Sequence, residues 1–393
     1  MKLENVSSVV QEAVAQAMGT EYMEKVGAIS PIDGAKLVDI GRDITNTTMT
    51  TEKFTKALVS ILGRREIDGL TYTPLYSDII VNRVEWGGFI ERVKIDMADI
   101  MDSPMFALEN KKSYADIEHT FYQPKVISKI YEEGKGIMIP ISIQSEMLTE
   151  AFMSWDKMNE YLTKIRSVIR ETLKIAMDMY SSTLVEGAIA ISDKATQTSV
   201  HLLTEAIAEG IIPEGTTADQ ARKKEEFLVY ASRRIAQIRD NMKVRTVAYN
   251  NGNIPIQSTD TNLYLLSEFK RNLKFAKSGI YNAQMIDFGE SKSIPMWQGI
   301  TSSETTEPFD FKNASTISLA ADPTNKLGIG TAAVKISNVI GLLFDRKAIG
   351  ITIYKEKMTS NYTASADFWN EYLHALTNQI IDSDYPMVAF IID

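Results

Sequence analysis

The sequence has no cysteine and only three histidines in 393 residues. Without a thiol there is no disulfide, no thiolate metal site and no cysteine nucleophile. His119, His201 and His374 stand far apart among ordinary neighbours, a setting in which imidazole is structural far more often than catalytic or metal-bound. Cationic excess is missing as well. The 42 Lys and Arg against 51 Asp and Glu leave a net charge of −9, whereas tight sequence-specific nucleic-acid binding draws its affinity largely from phosphate neutralisation. No run approaches the ~18 apolar residues of a membrane span, and the opening MKLENVSSVVQEAV has no signal-peptide core. These absences predict a soluble intracellular chain.

Catalytic motifs are missing too. No phosphate-binding P-loop, GxSxG nucleophile elbow or HExxH zinc helix occurs. Two Gly pairs, Gly134 with Gly136 and Gly328 with Gly330, lack the strand–turn–helix context of a phosphate site and read as turns. The basic run Arg222, Lys223, Lys224 is followed by Glu225 and Glu226, the pattern of a solvated helix face. No catalytic, cofactor or metal site is assigned.

What is present is apolar patterning. Hydrophobic residues make up 44% of the chain, enough for two or three cores. The stretch from Glu132 to Ala190 reads as a strand, a short helical turn ending at Ser154 and Trp155, and one long amphipathic helix. Met158, Tyr161, Leu162, Ile165, Val168, Ile169, Leu173, Ala176, Met177 and Tyr180 recur at three- and four-residue steps and form one face. Lys157, Glu160, Lys164, Arg170, Glu171, Lys174 and Asp178 take most of the other. The helix would be roughly 45 Å long, a strut more than a pocket wall.

Elsewhere the first sixty residues read as a polar amphipathic segment from Val6 to Met18, a turn from Ser30 to Gly34 and a Thr-rich run, an arm or a small helical element with no evident compact core. Between Leu62 and Tyr131 the pattern is strand-like. Val93, Ile95 and Met97 alternate with Arg92, Lys94 and Asp96, while Ile79, Val81, Val84 and Trp86 lead to Gly87 and Gly88 as a tight turn or bulge. A two-stranded ribbon is marginal alone in water, so its covering surface must come from elsewhere. From Thr196 to Val339 the reading is a separate unit. It has helices at Thr217–Asn241 and Asn262–Ala276, strands at Ala283–Phe288 and Ser293–Trp297, and a surface loop from Ser302 to Gly330. A final buried strand runs from Met387 to Ile391.

Leu148, Ala151, Phe152, Ser154 and Trp155, followed by the long helix, resemble the major capsid protein of small short-tailed bacteriophages, and the C-terminal stretch from Gly341 to Asp393 resembles the same family. The resemblance implies an α+β chain with the fold shared by tailed-phage coats and herpesvirus shell floors, often called the Hong-Kong-ninety-seven-type fold. Residues 1–61 would then be an N-terminal arm and 62–131 an extended β-hairpin loop lying over the neighbouring subunit. Residues 132–195 with 340–393 would form a peripheral domain around the spine helix, and 196–339 an axial domain. It implies self-assembly into pentamers and hexamers of an icosahedral or prolate head enclosing double-stranded DNA, with a scaffolding protein and a portal protein as partners. Assembly would take place in the host cytoplasm, and the product would be the virion. The short N-terminal region and the end at the last strand suggest a separate scaffold and no appended decoration domain. An encapsulin-like nanocompartment shell shares the fold and stays open as an alternative, as does an enzyme without a visible signature.

On this reading Trp86, Gly87, Gly88, Phe89, Arg92 and Lys94 are the expected subunit contacts, with buried aromatics as anchors. Trp155, Tyr161, Ile165 and Ile169 are the expected core of the spine, and Trp369 joins them. Some shells of this fold are locked by Lys–Asn bonds, for which Lys94, Lys111 and Lys112 are the nearest lysines. An amine protonated at neutral pH is no nucleophile without a carboxylate in a dry pocket, and no such trio stands out. Boiled particles on a denaturing gel should therefore give a single band near 44 kDa; a ladder of multiples would contradict a non-covalent shell.

Overall fold

The computed structural model describes residues 3–27, 34–64, 74–80, 90–97, 126–131, 133–194, 198–251, 254–278, 289–297, 314–319, 321 and 331–393. The chain divides into two compact units. One comprises Met1–Trp86, Glu133–Ser181 and Ile351–Asn378; the other comprises Gly87–Glu132, Ser182–Gly350 and Gln379–Asp393.

The first unit begins with four helices, α1 (Leu3–Met18), α2 (Thr20–Val26), α3 (Gly34–Thr45) and α4 (Thr48–Arg64). The expectation of a coreless N-terminal region is wrong. Val6, Val9, Val10, Ala13 and Val14 of α1 are fully buried, as are Leu37 and Ile44 of α3 and Phe54 and Leu58 of α4. Each helix carries only a narrow apolar stripe, which looks weak in isolation. The stripes form a core because α1 packs against α4. Gly41 permits another close approach: a Cβ there would lie 2.5 Å from the Phe152 Cβ, whose ring stands 5.3 Å from that of Phe54.

Strand β3 (Glu133–Gln144) pairs antiparallel with β11 (Phe368–Ile381), which lies between β3 and β10 (Ile349–Thr363). Gly134, Lys135 and Gly136 thus lie in a strand, not in a turn. Ile137, Ile139, Ile141 and Ile143 share the buried face of β3, opposite Ala375, Leu373, Glu371 and Trp369. Glu371 is an acid in an apolar row. Its Oε1 accepts a hydrogen bond from Ser360 at 2.8 Å, and burial pushes its carboxyl above the usual range despite that bond and the charge of Lys56.

Helix α5 (Ser145–Ala151) leads into α6 (Trp155–Lys194), whose 40 residues span about 60 Å. It runs past Gly187 because Leu184, Val185, Ala188, Ile189 and Ala190 are all fully buried. Their burial outweighs the ~1 kcal/mol that an interior glycine costs. Within the first unit Trp155, Met158, Leu162, Ile165, Ile169 and Met177 are buried, as the register predicts. Val168 is 49% exposed and corrects that register; one residue before Ile169, it falls at the edge of the stripe.

The second unit centres on a five-stranded sheet in the order β4–β12–β9–β5–β6. Its strands are β4 (Ser199–His201), β5 (Thr261–Leu266), β6 (Lys292–Ile294), β9 (Val339–Asp345) and β12 (Met387–Ile391). β12 pairs parallel with β4 and antiparallel with β9, and β5 pairs antiparallel with β9 and parallel with β6. β9 and β12 are buried along their whole length, which is why they read as unbroken apolar runs. At Gly341 a Cβ would sit 2.9 Å from the Tyr264 carbonyl oxygen, so β9 meets β5 where a larger residue would not fit.

Two expectations are corrected here. Residues 261–266 form β5 and only Ser267–Ser278 is helical (α10), because packing in the sheet interior overrides helix propensity. The last strand lies in this unit, with β4 and β9 as its partners. Ile317–Leu319, within the expected surface loop, is strand β7, paired with β8 (Val334–Ile336), and its Ile317 is fully buried. Around the sheet lie α7 (Leu202–Ala208), α8 (Ala218–Ala221) and α9 (Glu225–Asn241). The expected 217–241 helix is thus split at Arg222–Lys224, and its predicted apolar face is buried. The readings at Val81 to Phe89, Lys111, Lys112, His119, Ala283–Phe288 and Gly328–Gly330 lie outside the described residues, as does most of Ser30–Gly34.

The register of α6 is open to a direct test. Ile165→Asp should destabilise the chain by more than about 3 kcal/mol by burying an unpaired carboxylate. Lys164→Ala removes only an exposed pair with Glu160 and should cost less than about 0.5 kcal/mol. Comparable losses in melting temperature would contradict the register.

Candidate subunit-contact ribbon

β1 (Ile90–Ile95) pairs antiparallel with β2 (Val126–Tyr131), with Arg92 opposite Lys129 and Val93 opposite Ser128. Among the described residues the partner of β1 is therefore the downstream segment; Ile79 is buried in the first unit, beside the Ile80–Ile351 bridge, and Val81 to Phe89 lie outside the described residues. Alternation sorts the side chains into two faces. Arg92, Lys94, Ile127, Lys129 and Tyr131 share one; Glu91, Val93, Ile95, Val126, Ser128 and Ile130 share the other.

The polarity of the ribbon is the reverse of a surface hairpin. Its charged face turns toward its own chain, while Val93, Ile95, Val126 and Ile130 are 56%, 65%, 53% and 58% exposed, with Met97 just beyond at 70%. Single exposed apolar residues are ordinary; five together on one narrow ribbon make a patch.

A turn after β11 explains the inward charges. The backbone N–H of Asp384 donates to Asp382 Oδ1 at 3.2 Å, and Asn250 Nδ2 donates to the Asp384 carbonyl at 2.8 Å, so both carboxylates are held in place. Lys94 Nζ lies 2.7 Å from Asp382 and 3.0 Å from Asp384. Lys129 Nζ lies 2.6 Å from Asp384 and 3.8 Å from Asp382. Arg92 Nη1 donates to the Lys347 carbonyl at 2.5 Å and lies 3.4 Å from Asp382. The Tyr385 ring faces Lys94 Nζ at 4.4 Å and Arg92 Cζ at 5.7 Å, both within cation–π reach. Arg245 adds a 2.6 Å pair to Asp96.

Burial decides what these pairs are worth. The Asp382 side chain is fully buried and that of Lys94 is 9% exposed. Removing one partner of such a pair costs about 3–5 kcal/mol, against ~0–1 kcal/mol for an exposed one. Burial alone would raise the Asp384 carboxyl, but hydrogen bonds from Lys129 and Lys94 and their charges outweigh it and bring it below its ordinary value. The group therefore stabilises the fold at neutral pH, and its contribution is lost as pH falls below the usual carboxylate range. Burial pushes the Tyr131 hydroxyl up, reinforced by Asp382.

Of the expected contact residues, Trp86, Gly87, Gly88 and Phe89 lie outside the described residues. Arg92 and Lys94 are engaged within their own chain. Sequence reading missed Asp382, Asp384 and Tyr385, because cations alternating with apolar residues suit a solvated face as well as a carboxylate partner distant in sequence. Of the expected spine core, Trp155, Ile165 and Ile169 are buried, and Tyr161 keeps a buried hydroxyl.

Comparison with known proteins fixes the context. Residues 12–391 match the family described as Phi29-like phage major capsid protein. The chain belongs to that family. It forms the shell of the phage capsid by self-association, is a structural protein of the virion and is not an enzyme. No curated protein sequence matches it. Among solved structures it is similar to the capsid structure of Staphylococcus phage Andhra, at 12% identity and TM-score 0.51, over 84% of this chain and 88% of that one. A chain in a structure of the head fiber and inner core protein of native bacteriophage P68 is similar at 11% identity and TM-score 0.51, over the same shares. Both likenesses concern the fold alone.

The capsid protein does carry one arrangement that resembles a hydrolase relay. Ser199 Oγ lies 3.2 Å from His201 Nε2, and His201 Nδ1 lies 2.6 Å from Asp393 Oδ1. Ser199 is buried, however, and its hydroxyl also reaches Asp193 at 3.3 Å. Thr204 donates from both its N–H and its hydroxyl to the Asp393 carbonyl. The set fastens β4 to the end of β12, where His201 stands opposite Ile391. Among the described residues no three His, Asp or Glu side chains converge as metal ligands, and no helix is long and apolar enough to cross a membrane. His201→Ala should lower stability by about 1 kcal/mol or less, since the pair is exposed. Hydrolysis of an activated ester should be the same in wild type and Ser199→Ala; turnover that depends on Ser199 would contradict the staple reading.

Proposed function

We propose that the capsid protein builds pentamers and hexamers of an icosahedral or prolate head around double-stranded DNA, with the ribbon of each copy laid apolar face down on a neighbouring copy. The observation that carries this reading is the inverted polarity of β1 and β2. Arg92, Lys94 and Lys129 are already engaged within the chain, and Val93, Ile95, Met97, Val126 and Ile130 still face solvent around the hydrogen bond from Ser128 to Glu91. Burying one Val or Ile side chain contributes about 1.5–3 kcal/mol, so covering five stabilises a contact well above what rim charges offer. In this assignment the ribbon is the extended loop, the first unit is the peripheral domain with the spine helix, and the second is the axial domain.

Head-to-tail contacts that close by rotation make rings, and rings that close make a shell. Many modest ribbon contacts add up because each copy is held by several neighbours at once. A scaffolding protein and a portal protein complete the assembly in the host cytoplasm. Enclosing DNA needs no basic surface, because packaged DNA brings its own counterions; the net charge of −9 fits a container that does not read sequence.

The double substitution Val93→Glu and Ile130→Glu should leave a soluble, folded chain with stability within about 0.5 kcal/mol of wild type, as expected at exposed positions. It should abolish shells in light scattering and negative-stain images. Normal shells from that variant would overturn the ribbon contact.

A further inference from the structure

We infer that the Asp382–Asp384 turn is a lock that sets the register and angle of the ribbon on its own subunit before assembly, and thereby governs the size of the shell. This rests on the ribbon being the intersubunit clamp. The three cations come from two strands, Arg92 and Lys94 from β1 and Lys129 from β2, so the turn grips both strands at once. Lys94 bridges both carboxylates, Lys129 binds chiefly Asp384, and Arg92 binds Asp382 and the Lys347 carbonyl. The cations share the two carboxylates but approach them through different combinations of oxygens, Lys94 through the Oδ2 atoms and Lys129 through the Oδ1 atoms, so the pattern matches one register.

A slip of one residue would turn Val93 toward the carboxylates and Lys94 outward, since alternation exchanges the faces. The same slip would leave buried carboxylates unpaired, which is far more costly than shifting an apolar contact. The exposed apolar residues cannot replace this grip, because they lie on the opposite face; Ile127 and Tyr131 on the inward face are only half-buried and add to it. The ribbon is therefore aimed by charge and held by its neighbour through apolar contact. A clamp aimed a few degrees differently changes the angle between adjacent subunits, and over a closed shell that angle sets the diameter.

Asp382, Asp384, Lys94 and Lys129 are thus positioning residues for assembly, apart from the surface that touches the neighbour. Three variants of the full chain test this: Lys94→Met, Asp384→Asn and the milder Lys129→Gln. In the unassembled protein, hydrogen exchange of the amides in residues 90–95 and 126–131 should quicken at least tenfold, while exchange in β9 and β12 stays as in wild type. Lys94→Arg, which keeps the charge, should restore slow ribbon exchange. Shells from the three variants should be heterogeneous in diameter, or absent.

Wild-type ribbon exchange in Lys94→Met and Lys129→Gln would overturn the lock whatever the assembly result. A uniform rise across β9 and β12 with Lys129→Gln would overturn it too, since that shows a core role. Shells of uniform wild-type diameter from a variant with fast ribbon exchange would overturn the link to size. The apolar double substitution separates the two ideas. It should block shells while leaving ribbon exchange slow; normal shells from it would sink the clamp without touching the exchange evidence for a lock.

Discussion

A two-stranded ribbon has two faces, and a single chain can rarely cover both. Here the chain covers one with charge. Two carboxylates presented by the turn after β11 meet two lysines and an arginine, and the buried character of Asp382 and Lys94 makes the arrangement costly to undo. Because Arg92, Lys94 and Lys129 are engaged inside the subunit, the side left exposed carries Val93, Ile95, Val126 and Ile130 around the Ser128–Glu91 hydrogen bond. An apolar side tolerates many partner geometries; a charged one would demand matching residues on every neighbour. In the proposed assembly the constraint divides the labour: electrostatics within the copy, hydrophobic contact between copies.

The rest of the fold reads as support for that division. α6 contributes Trp155–Ser181 to one unit and Ser182–Lys194 to the other as one unbroken helix of 40 residues. The turn that carries Asp382 and Asp384 leads into the buried strand β12 and is tied to the loop at 249–251, through the Met387 N–H to the Tyr249 carbonyl and the Asn251 N–H to the Ser383 carbonyl. A carboxylate pair on a loose loop could not aim anything; one pinned between β11 and β12 can. Local rigidity at the root and exposure along the face belong together.

Much of the architecture was legible because periodicity reports burial. The long helix, the strand of alternating isoleucines from Ile137 to Ile143 and the last apolar strand all declared themselves. Errors arose where partners distant in sequence decide. Thr261–Leu266 is compatible with helix or strand, and only β9 on one side and β6 on the other make it a strand. Met387–Ile391 was recognised as a strand while its partners β4 and β9 were not, since a buried run does not say whose sheet it enters. In α1, α3 and α4, stripes too thin to announce a core make one together. At the ribbon the alternation was visible while its sense was not. Arg92 and Lys94 were expected to face a neighbour, and nothing between residues 90 and 131 could reveal that Asp382 and Asp384 wait some 250 to 290 positions away.

The central claim is that the apolar face of the ribbon is covered by another copy in the assembled head. An electron cryo-microscopy reconstruction of shells assembled from the wild-type chain would test it most directly, through the surroundings of Val93, Ile95, Val126 and Ile130. These side chains are expected to be buried beneath a neighbouring subunit while Lys94 keeps Asp382 and Asp384 of its own chain as partners. Side chains open to solvent in the closed shell, or a Lys94 paired with a neighbour's carboxylates, would contradict it.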